Sequence, residues 1–546
     1  MALETAAAPT LDDADVALVA GIGERRHVRE GEYLYREGDV TYDFFVLVDA
    51  EVDIVVEVDG REELIIHHSP GRFLGELNML TGLRVFVSAR VTRSGEVVVV
   101  PRDRLRQLMA TDPRLGDLIL AAFVARRSML LTNAAPAIRV IGSQYSPEAL
   151  RIREFLTRTR VPHEWLDPDR EAQVQDLLSG FGLSPEDLPV VIATGSVLRR
   201  PTPGELASFL GLTLESLPER CFDLVVIGGG PAGLAAAVYG ASEGLRTLGV
   251  EMTAPGGQAG SSSRIENYLG FPLGVSGADL TQRAVIQAEK FGAALTAPCT
   301  AVSLRNKAGH LVVRLSDGSD VAGRAVIAAS GAAYRRLEAA RLGEFEGNGV
   351  YYAATEMEAR ICGAAPVVVV GGGNSAGQAA IFLSQGGCPV MLVIRGTDVG
   401  KSMSRYLVER IEANPGIKVR TETTVVALDG DRTLRTLRLS GPDGEAVVEC
   451  SALFSFIGAQ PSSSWLSGCA AVDERGFVLT DLSLDQDLLG EEWDVLGRTP
   501  LPFETSHPGL FAVGDLRSGS TKRVAAAVGE GSAAVRSVHQ YLAFTS

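Results

Sequence analysis

At 546 residues the chain is too long for one hydrophobic core, and about three to four domains of roughly 100–200 residues are expected. Hydrophobic residues make up 46% and charged residues 22%, the balance of a folded globular protein, and no stretch approaches the roughly 20 apolar residues of a membrane span. The net charge of −16 argues against a nucleic-acid partner, which usually calls for a basic face. The opening MALETAAAPTLDDADVALVAG has no basic segment ahead of an apolar run. No signal peptide is read, and a cytoplasmic protein with no membrane partner is expected. The six cysteines (Cys221, Cys299, Cys362, Cys388, Cys450, Cys469) form no C-x-x-C pair and no zinc spacing. Reduced, mostly buried thiols and no metal site are expected. Cys362 stands out because it lies near a nucleotide-binding region.

Residues 24–100 alternate apolar and polar residues between Gly, Pro and Asp turns, which predicts an all-β roll or barrel. Residues 101–131 turn helical. Pro101 can open a helix, and Leu105, Leu108, Leu115, Leu118, Ile119 and Phe123 follow at helical spacing. A linker is expected at 133–136. Residues 137–212 predict a small β-α-β-α-β-α unit. Its strands are Ile138–Ile141, Glu164–Leu166 and Leu188–Ile192, its first helix runs from Pro147 to Thr159, and its last starts at Pro203. A second linker spans Gly211 to Arg220. From Phe222 the pattern is doubly wound. FDLVVIGGGPAGLAAAVYGA reads as buried strand, glycine turn and helix. PVVVVGGGNSAGQAAIFLSQ repeats it 143 residues later, counted from Gly228 to Gly371. One unit is therefore inserted in the other, which resumes near residue 459.

Gly228, Gly230 and Gly233 form G-x-G-x-x-G after an apolar strand, with Pro231 and Ala232 between them. The first glycine permits the tight turn, the second lets backbone approach a pyrophosphate, and the third lets helix and strand pack closely. Glu251 ends the next strand 18 residues after Gly233, where a carboxylate can accept from ribose hydroxyls. The second turn, Gly371, Gly373, Asn374, Ser375 and Ala376, is the G-x-G-x-x-A variant. Arg395 stands where an NAD-binding unit carries an acid, and a cation there suits the 2′-phosphate of NADPH. Lys401 and Arg405 follow and can add charge, or each can be a solvated surface cation.

Residues 222–546 resemble the low-molecular-weight thioredoxin reductase family of flavoproteins. The matching segments are Gly228–Gly233, Gly256-Gly257-Gln258, Glu266-Asn267-Tyr268, Ala329-Ser330-Gly331, Gly371–Ala376 and the GLFAVGD run from Gly509 to Asp515. The resemblance implies FAD, with Gly257, Gln258, Asn267 and Gly331 in its site and Gly514 and Asp515 at the ribityl chain. Arg523, Val524 and Ala525 would lie along the isoalloxazine. It also implies a homodimer and a swinging NADPH domain of residues 336–459 between FAD segments 220–335 and 460–546. The family's reactive C-x-x-C falls on Ala353 and Glu356, neither of which can supply a thiolate.

Residues 137–213 resemble a thioredoxin- or glutaredoxin-fold domain. Ser146 and Ala149 replace its two cysteines, and Leu188-Pro189-Val190 matches its cis-proline segment. Residues 1–133 hold a region that resembles the cyclic-nucleotide-binding domain. The carrying segment is FLGELNML from Phe73 to Leu80, with Arg84. The resemblance places a cyclic nucleotide at Gly75, with Glu76 on the ribose 2′-OH and Arg84 on the phosphate. Val85 and Phe86 stand where small residues usually leave room.

The expected protein is thus multidomain. An N-terminal β-roll with helices is followed by a small thioredoxin-like α/β domain and two Rossmann-like doubly wound domains, with the NADPH domain inserted in the FAD domain. The expected function is an FAD-containing, NADPH-oxidising reductase. It lacks the redox-active C-x-x-C, passes electrons to an external small molecule or redox protein, and is open to control by a cyclic nucleotide. The alternative is a nucleotide- or redox-sensing scaffold with a structural flavin.

Overall fold

The structure is a computed structural model. It describes residues 6–58, 61–81, 83–133, 138–170, 173–193, 196–213, 221–262, 264–265, 267–307, 309–346, 349–352, 354, 359, 362–431 and 433–545. The chain divides into two compact units. One comprises residues 1–220, 241–248 and 286–299; the other comprises 221–240, 249–285 and 300–546.

The first unit opens with helix α1 (Asp13–Ala20) and eight strands: β1 (Glu24–Val28), β2 (Tyr33–Tyr35), β3 (Phe44–Leu47), β4 (Glu51–Val58), β5 (Arg61–His68), β6 (Phe73–Leu74), β7 (Ser88–Arg93) and β8 (Gly95–Val100). They pair antiparallel in two sheets, β1-β8-β3-β6 and β2-β7-β4-β5. The predicted roll is therefore observed. Its core is aromatic: Phe44, Phe73 and Phe123 are fully buried, with the Phe44 and Phe73 ring centroids 5.3 Å apart. The helical stretch that follows is two helices, α2 (Arg102–Thr111) and α3 (Pro113–Asn133). The break sits at Asp112, which adopts φ −119°, ψ 94°. Proline at the next position disfavours the α conformation for the residue before it.

Next come β9 (Ile138–Ile141), α4 (Pro147–Arg158), β10 (Glu164–Leu166), α5 (Gln173–Gly180), β11 (Val190–Ala193), β12 (Ser196–Arg199) and α6 (Pro203–Leu210). The sheet order is β10-β9-β11-β12, with β10 parallel and β11 antiparallel to β9. Strand β12 departs from the predicted order. It pairs antiparallel with β11 over Val190↔Arg199 to Ala193↔Ser196, and its four residues are too few for periodicity to reveal. Leu188-Pro189 is a cis peptide, and β11 begins two residues later than predicted. Residues 214–220, most of the expected second linker, lie outside the described residues, as do 134–136.

The second glycine-rich half carries β13 (Cys221–Ile227), α7 (Pro231–Ser242), β14 (Thr247–Val250), α8 (Gly277–Lys290), β15 (Ala294–Thr296), β16 (Ala301–Lys307), β17 (His310–Leu315) and β18 (Asp320–Ala328). Strand β13 lies between β14 and β18, and β17 and β16 continue outward antiparallel. Strand β19 (Ala332–Tyr334) starts the inserted region. There β20 (Val350–Tyr351), β21 (Val367–Val370), α9 (Asn374–Gln385), β22 (Val390–Val393), α10 (Arg405–Glu412), β23 (Ile417–Arg420) and β27 (Ala452–Ser455) build a second sheet, β20-β27-β21-β22-β23. Every pairing in it is parallel. Both faces of such a sheet are buried, and β21 is four consecutive buried valines. Strands β24 (Thr424–Gly430), β25 (Leu434–Gly441) and β26 (Gly444–Glu449) form an antiparallel sheet beside it. The chain then returns through β28 (Ala459–Pro461), antiparallel to β19, and β29 (Leu510–Ala512), parallel to β18, and ends in α11 (Val524–Phe544). The second sheet thus falls between β18 and β29, which pair in the first. Among the described residues no helix is long and apolar enough to cross a membrane.

The approach to β29 is held by Glu504, which is fully buried. Its oxygens accept from Arg498 Nη1 and Nη2 at 2.7 and 2.9 Å, from Leu501 N at 2.8 Å and from Gly509 N at 2.9 Å. Breaking a buried pair by removing one partner typically costs about 3–5 kcal/mol. Glu504→Ala is therefore expected to lower the urea midpoint, followed by intrinsic tryptophan fluorescence, since Trp493 lies under the Arg498 guanidinium. An unchanged midpoint would show that the pair is not structural.

Candidate functional site

The first glycine turn is fixed by backbone crowding. Gly228 donates its N–H to Val250 O at 2.7 Å, and its φ is +112°. A Cβ there would lie 2.2 Å from Ala329 O, and one on Gly233 would lie 1.8 Å from Gly228 O. Neither position tolerates a side chain. Gly230 and Gly257 face each other with no side chain between them; a Cβ on Gly257, whose φ is +54°, would sit 2.8 Å from Gly230 Cα. Backbone therefore packs on backbone at the start of α7, where Pro231 occupies the first helical position and Ala232 is buried. Unsatisfied N–H groups and the helix dipole make such a terminus an anion site. Glu251 lies at its side. Its Oε2 accepts from Gly229 N at 2.6 Å and its Oε1 from Thr253 N at 3.1 Å. A carboxylate has about four lone-pair sites, so it retains capacity for hydroxyls.

Gln258 donates through Nε2 to Ala332 O, next to Gly331, whose φ is +66°. Asn267 is exposed, and Glu266 lies outside the described residues. At the far end of the sequence, Gly514 and Asp515 follow β29. Gly514 has φ +69°, and a Cβ there would come within 2.9 Å of the Ala232 methyl. Burial pushes the Asp515 carboxyl above its ordinary range, against the pull of Lys522. Lys522 Nζ also donates to Asp515 O at 3.0 Å. Arg523 and Ala525 are exposed at the start of α11. Val524 packs with Ala259, Ile265 and Val275.

Two residues of this site escaped the sequence reading. Glu530, one helical turn and more into α11, accepts from Gly514 N at 2.7 Å, from Arg517 Nε at 3.1 Å and Nη2 at 2.8 Å, and from Ser520 Oγ at 2.8 Å. One carboxylate thus organises the whole turn that carries Asp515. Gly531, its neighbour, would place a Cβ 2.0 Å from Ala232 O. The signal was the Gly-Glu-Gly run at 529–531 inside a helix, where glycine costs about 1 kcal/mol against alanine and so marks a close approach.

The second turn repeats the first. A Cβ on Gly371 would lie 2.4 Å from Phe456 O, whereas Gly373 faces open space. Asn374 holds the loop that follows β22: its Oδ1 accepts from Ser404 N at 2.6 Å and its Nδ2 donates to Ser404 Oγ at 2.9 Å. Ser402 Oγ donates to Gly372 O at 2.9 Å. Ser375 is exposed and Ala376 buried. Arg395 lies two residues beyond the end of β22 and is exposed, as is Lys401. Arg405 is engaged with Glu409, Nε to Oε1 at 2.9 Å, which is the solvated-surface alternative for that cation.

Ala353 and Glu356 lie outside the described residues. All six cysteines are free thiols. Burial raises Cys388 and Cys469, and it pushes Cys450 up to about 12, so those three hold their protons. Cys362 is 7% exposed, within the core around α9. In the small α/β unit Ser146 caps α4, its Oγ accepting from Ala149 N at 3.3 Å, and Ala149 is fully buried.

In the β-roll, Gly75 has φ +145° and abuts Phe123. The Glu76 carboxylate is buried against Arg127 of α3, with Nη2 to Oε2 at 2.7 Å and a second bond from Nε to Oε1. It also accepts from Asn78 N at 2.9 Å. Arg84 bonds the Phe209 and Gly38 carbonyls. Both residues are thus engaged within the chain. Val85 and Phe86 are buried beside them.

Residues 222–531 match the family described as pyridine nucleotide-disulphide oxidoreductase, and residues 25–112 match the cyclic nucleotide-binding domain. The chain is 34% identical over 334 residues to a bifunctional thioredoxin reductase/thioredoxin of Mycobacterium leprae, covering 61% of this chain and 68% of that protein. It is 29% identical over 318 residues to a thioredoxin reductase of Mycoplasmopsis pulmonis, covering 58% and 95%. Among solved structures, thioredoxin reductase from T. acidophilum is similar with a TM-score of 0.53 and 26% identity over 60% of this chain and 100% of that one. The Lactococcus lactis enzyme gives 0.52 and 25% over 59% and 99%.

The side-chain-free turn at Gly228, Gly230 and Gly257 and the desolvated Asp515 fit FAD. Gly531→Val is expected to drive α11 from α7 and leave the purified protein largely colourless. Glu530→Ala should lower the FAD-to-protein absorbance ratio several-fold, with Glu530→Gln intermediate. Full flavin content in both Glu530 variants would show that the Gly514-Asp515 turn holds its shape without this carboxylate.

Proposed function

The chain belongs to the pyridine nucleotide-disulphide oxidoreductase family, an FAD-containing, NAD(P)H-dependent oxidoreductase, and on that premise we propose that it oxidises NADPH and delivers the electrons to an acceptor outside its own chain. The observation that carries this reading is that no two of its six cysteines are separated by two residues. A dithiol relay needs a thiolate and a second thiol within reach. Ala353 and Glu356 stand where the family places them, and the three cysteines raised by burial are poor substitutes.

When bound, the flavin supplies hydride acceptance and onward electron transfer. The chain's part is to hold and orient. Gly228, Gly230 and Gly233, with Gly257 opposite, admit the pyrophosphate to the start of α7, and Glu251 takes adenosine ribose hydroxyls. The Gly514-Asp515 turn, with Glu530 behind it, addresses the ribityl chain. Gln258, Asn267, Gly331 and Arg523–Ala525 border the ring. At the second turn Gly371, Gly373 and Asn374–Ala376 receive the NADPH pyrophosphate, and Arg395, with Lys401, meets the 2′-phosphate. A homodimer in the cytoplasm is part of the same reading.

The first 220 residues supply control and docking. The β-α-β-α-β-β-α order at 138–210 supports reading that region as a thioredoxin-like module. With Ser146 and Ala149 in place of cysteines it docks a partner without exchanging disulfides. The β-roll acts as a ligand sensor for the reductase. The ligand class its family suggests is a cyclic nucleotide at Gly75, Glu76 and Arg84. Such a ligand has to displace Arg127 from Glu76 and the Phe209 carbonyl from Arg84.

NADPH is expected to reduce the flavin about tenfold or more faster than NADH at subsaturating cofactor, because one charge-assisted contact is worth about 1.5–3 kcal/mol. Arg395→Ala should narrow that gap in stopped-flow traces; equal rates in the wild type would remove the argument. Steady-state NADPH oxidation with quinones, dioxygen and flavin or iron–sulfur proteins should reveal an acceptor, while thioredoxin disulfide should be reduced at background rate. Robust thioredoxin reduction would overturn the proposed acceptor class.

A further inference from the structure

The carboxyl of Glu289 has no part in the chemistry described above, yet it is 6% exposed in the last turn of helix α8. That turn belongs to the same compact unit as the β-roll, whereas the first turns of α8 belong to the other unit. Ile286 packs against the β-roll core that holds Leu105, Leu108 and Phe123. Lys290 Nζ bonds Asp117 Oδ1 of α3 at 3.1 Å. Three guanidiniums act on Glu289 electrostatically: Arg106 and Arg102 of α2 and Arg127 of α3. The cluster is nevertheless unpaired. Glu289 Oε2 and the Nε atoms of Arg102 and Arg106 are buried with no partner among the described residues. Arg102 and Arg106 each donate to Leu80 O instead, at 3.0 and 2.9 Å. Burial outweighs the three arginines and pushes the Glu289 carboxyl up to about 8, so it holds its proton at neutral pH.

Arg127 stands between two acids. It donates through Nη2 to Glu76 Oε2 at 2.7 Å and through Nε to Glu76 Oε1, while Nη1 reaches only Arg160 O at 3.5 Å. Glu76 is the acid that a ligand of the β-roll has to take from it. A buried guanidinium stripped of its carboxylate is costly unless a second partner accepts it. Glu289 can be that partner, since a closer cation favours the ionised form of an acid. Its proton then leaves to solvent, and a hydrogen-bonded pair joins α3 to α8. The first turns of α8 leave no room for independent movement. A Cβ on Gly277 would lie 1.7 Å from Ala259 O, and one on Gly256 would lie 2.9 Å from Thr281 Oγ1. Leu280 packs with Ala259 and Val275. Rigid elements carry coupling between sites, and the 14 residues of α8 span about 21 Å.

Resting on the reading of the β-roll as a ligand sensor, we infer that Arg127 is the moving part of a switch: a ligand that occupies Glu76 sends Arg127 to Glu289, and the new pair shifts α8 and with it the Gly256–Gly260 turn. That turn includes Gly257, which faces Gly230 at the start of α7. The ligand thereby alters the rate at which NADPH reduces the flavin. Coupling of this kind changes affinities by roughly 5–150-fold and is reciprocal between the two sites.

The test is stopped-flow reduction of the full-length FAD-loaded protein by NADPH, first without any ligand. Glu76→Gln frees Arg127 and should change the reduction rate about fivefold or more. Glu289→Gln keeps the shape of the neutral acid but cannot ionise, and alone it should leave the rate within about twofold of wild type. The double variant should return to the wild-type rate, which a merely local role for Glu76 would not produce. Glu76→Asp, which keeps the charge and shortens the reach, is the second variant should Glu76→Gln fail to fold; its effect should be smaller and again reversed by Glu289→Gln. An unchanged rate in the Glu76 variants, or a double variant that behaves like Glu76→Gln alone, would overturn the inference. Cyclic AMP and cyclic GMP are then added to wild type and Glu289→Gln. A rate response in wild type that is lost in Glu289→Gln, with binding retained, supports the switch. An equal response in both overturns it and leaves the sensor reading standing. Reversal by Glu289→Gln without any nucleotide binding supports the switch and removes the cyclic nucleotide as its ligand.

Discussion

The reductase half of this protein depends on how closely the final helix approaches the first. Helix α7 begins at the glycine turn, and α11 must lie against it with backbone touching backbone, since a Cβ on Gly531 would meet Ala232 O at 2.0 Å. Gly514 meets the same alanine from the end of β29. Three segments from both ends of the doubly wound region therefore converge on Ala232. The adjacent Glu530 ties the last of them together with four hydrogen bonds. Interiors are close-packed, so there is no slack in this arrangement. It brings Asp515, nearly 300 residues from Gly228 in sequence, to the start of α7, where we propose that the dinucleotide binds.

Much of this was legible in the sequence because the signals are local and chemically forced. Glycine turns after apolar strands, the acid at the end of the next strand and the repeat at Gly371 each follow from backbone sterics and the needs of a pyrophosphate. The interrupted domain was legible because the repeat falls inside a pattern that resumes later. What escaped depends on tertiary proximity. Glu530 looks like an ordinary helical surface acid until Gly514 and Arg517 are folded against it. Strand β12 was too short to show a period.

The N-terminal half shows the limit of motif reading. The glutamate of FLGELNML and Arg84 occur at the expected residues, yet the folded chain spends the first on Arg127 and the second on two carbonyls. A motif gives the residue type, whereas the hydrogen-bond partners decide what that residue is free to do.

The central claim is that electrons from NADPH leave the chain from the flavin without passing through a protein disulfide. Anaerobic titration of the fully oxidised protein with NADPH, followed by flavin absorbance, counts the electrons the chain can hold. A flavin with no dithiol partner takes up two electrons, so bleaching should end at about one equivalent of NADPH per flavin. An end point near two equivalents would reveal a redox-active disulfide in this chain and contradict the account.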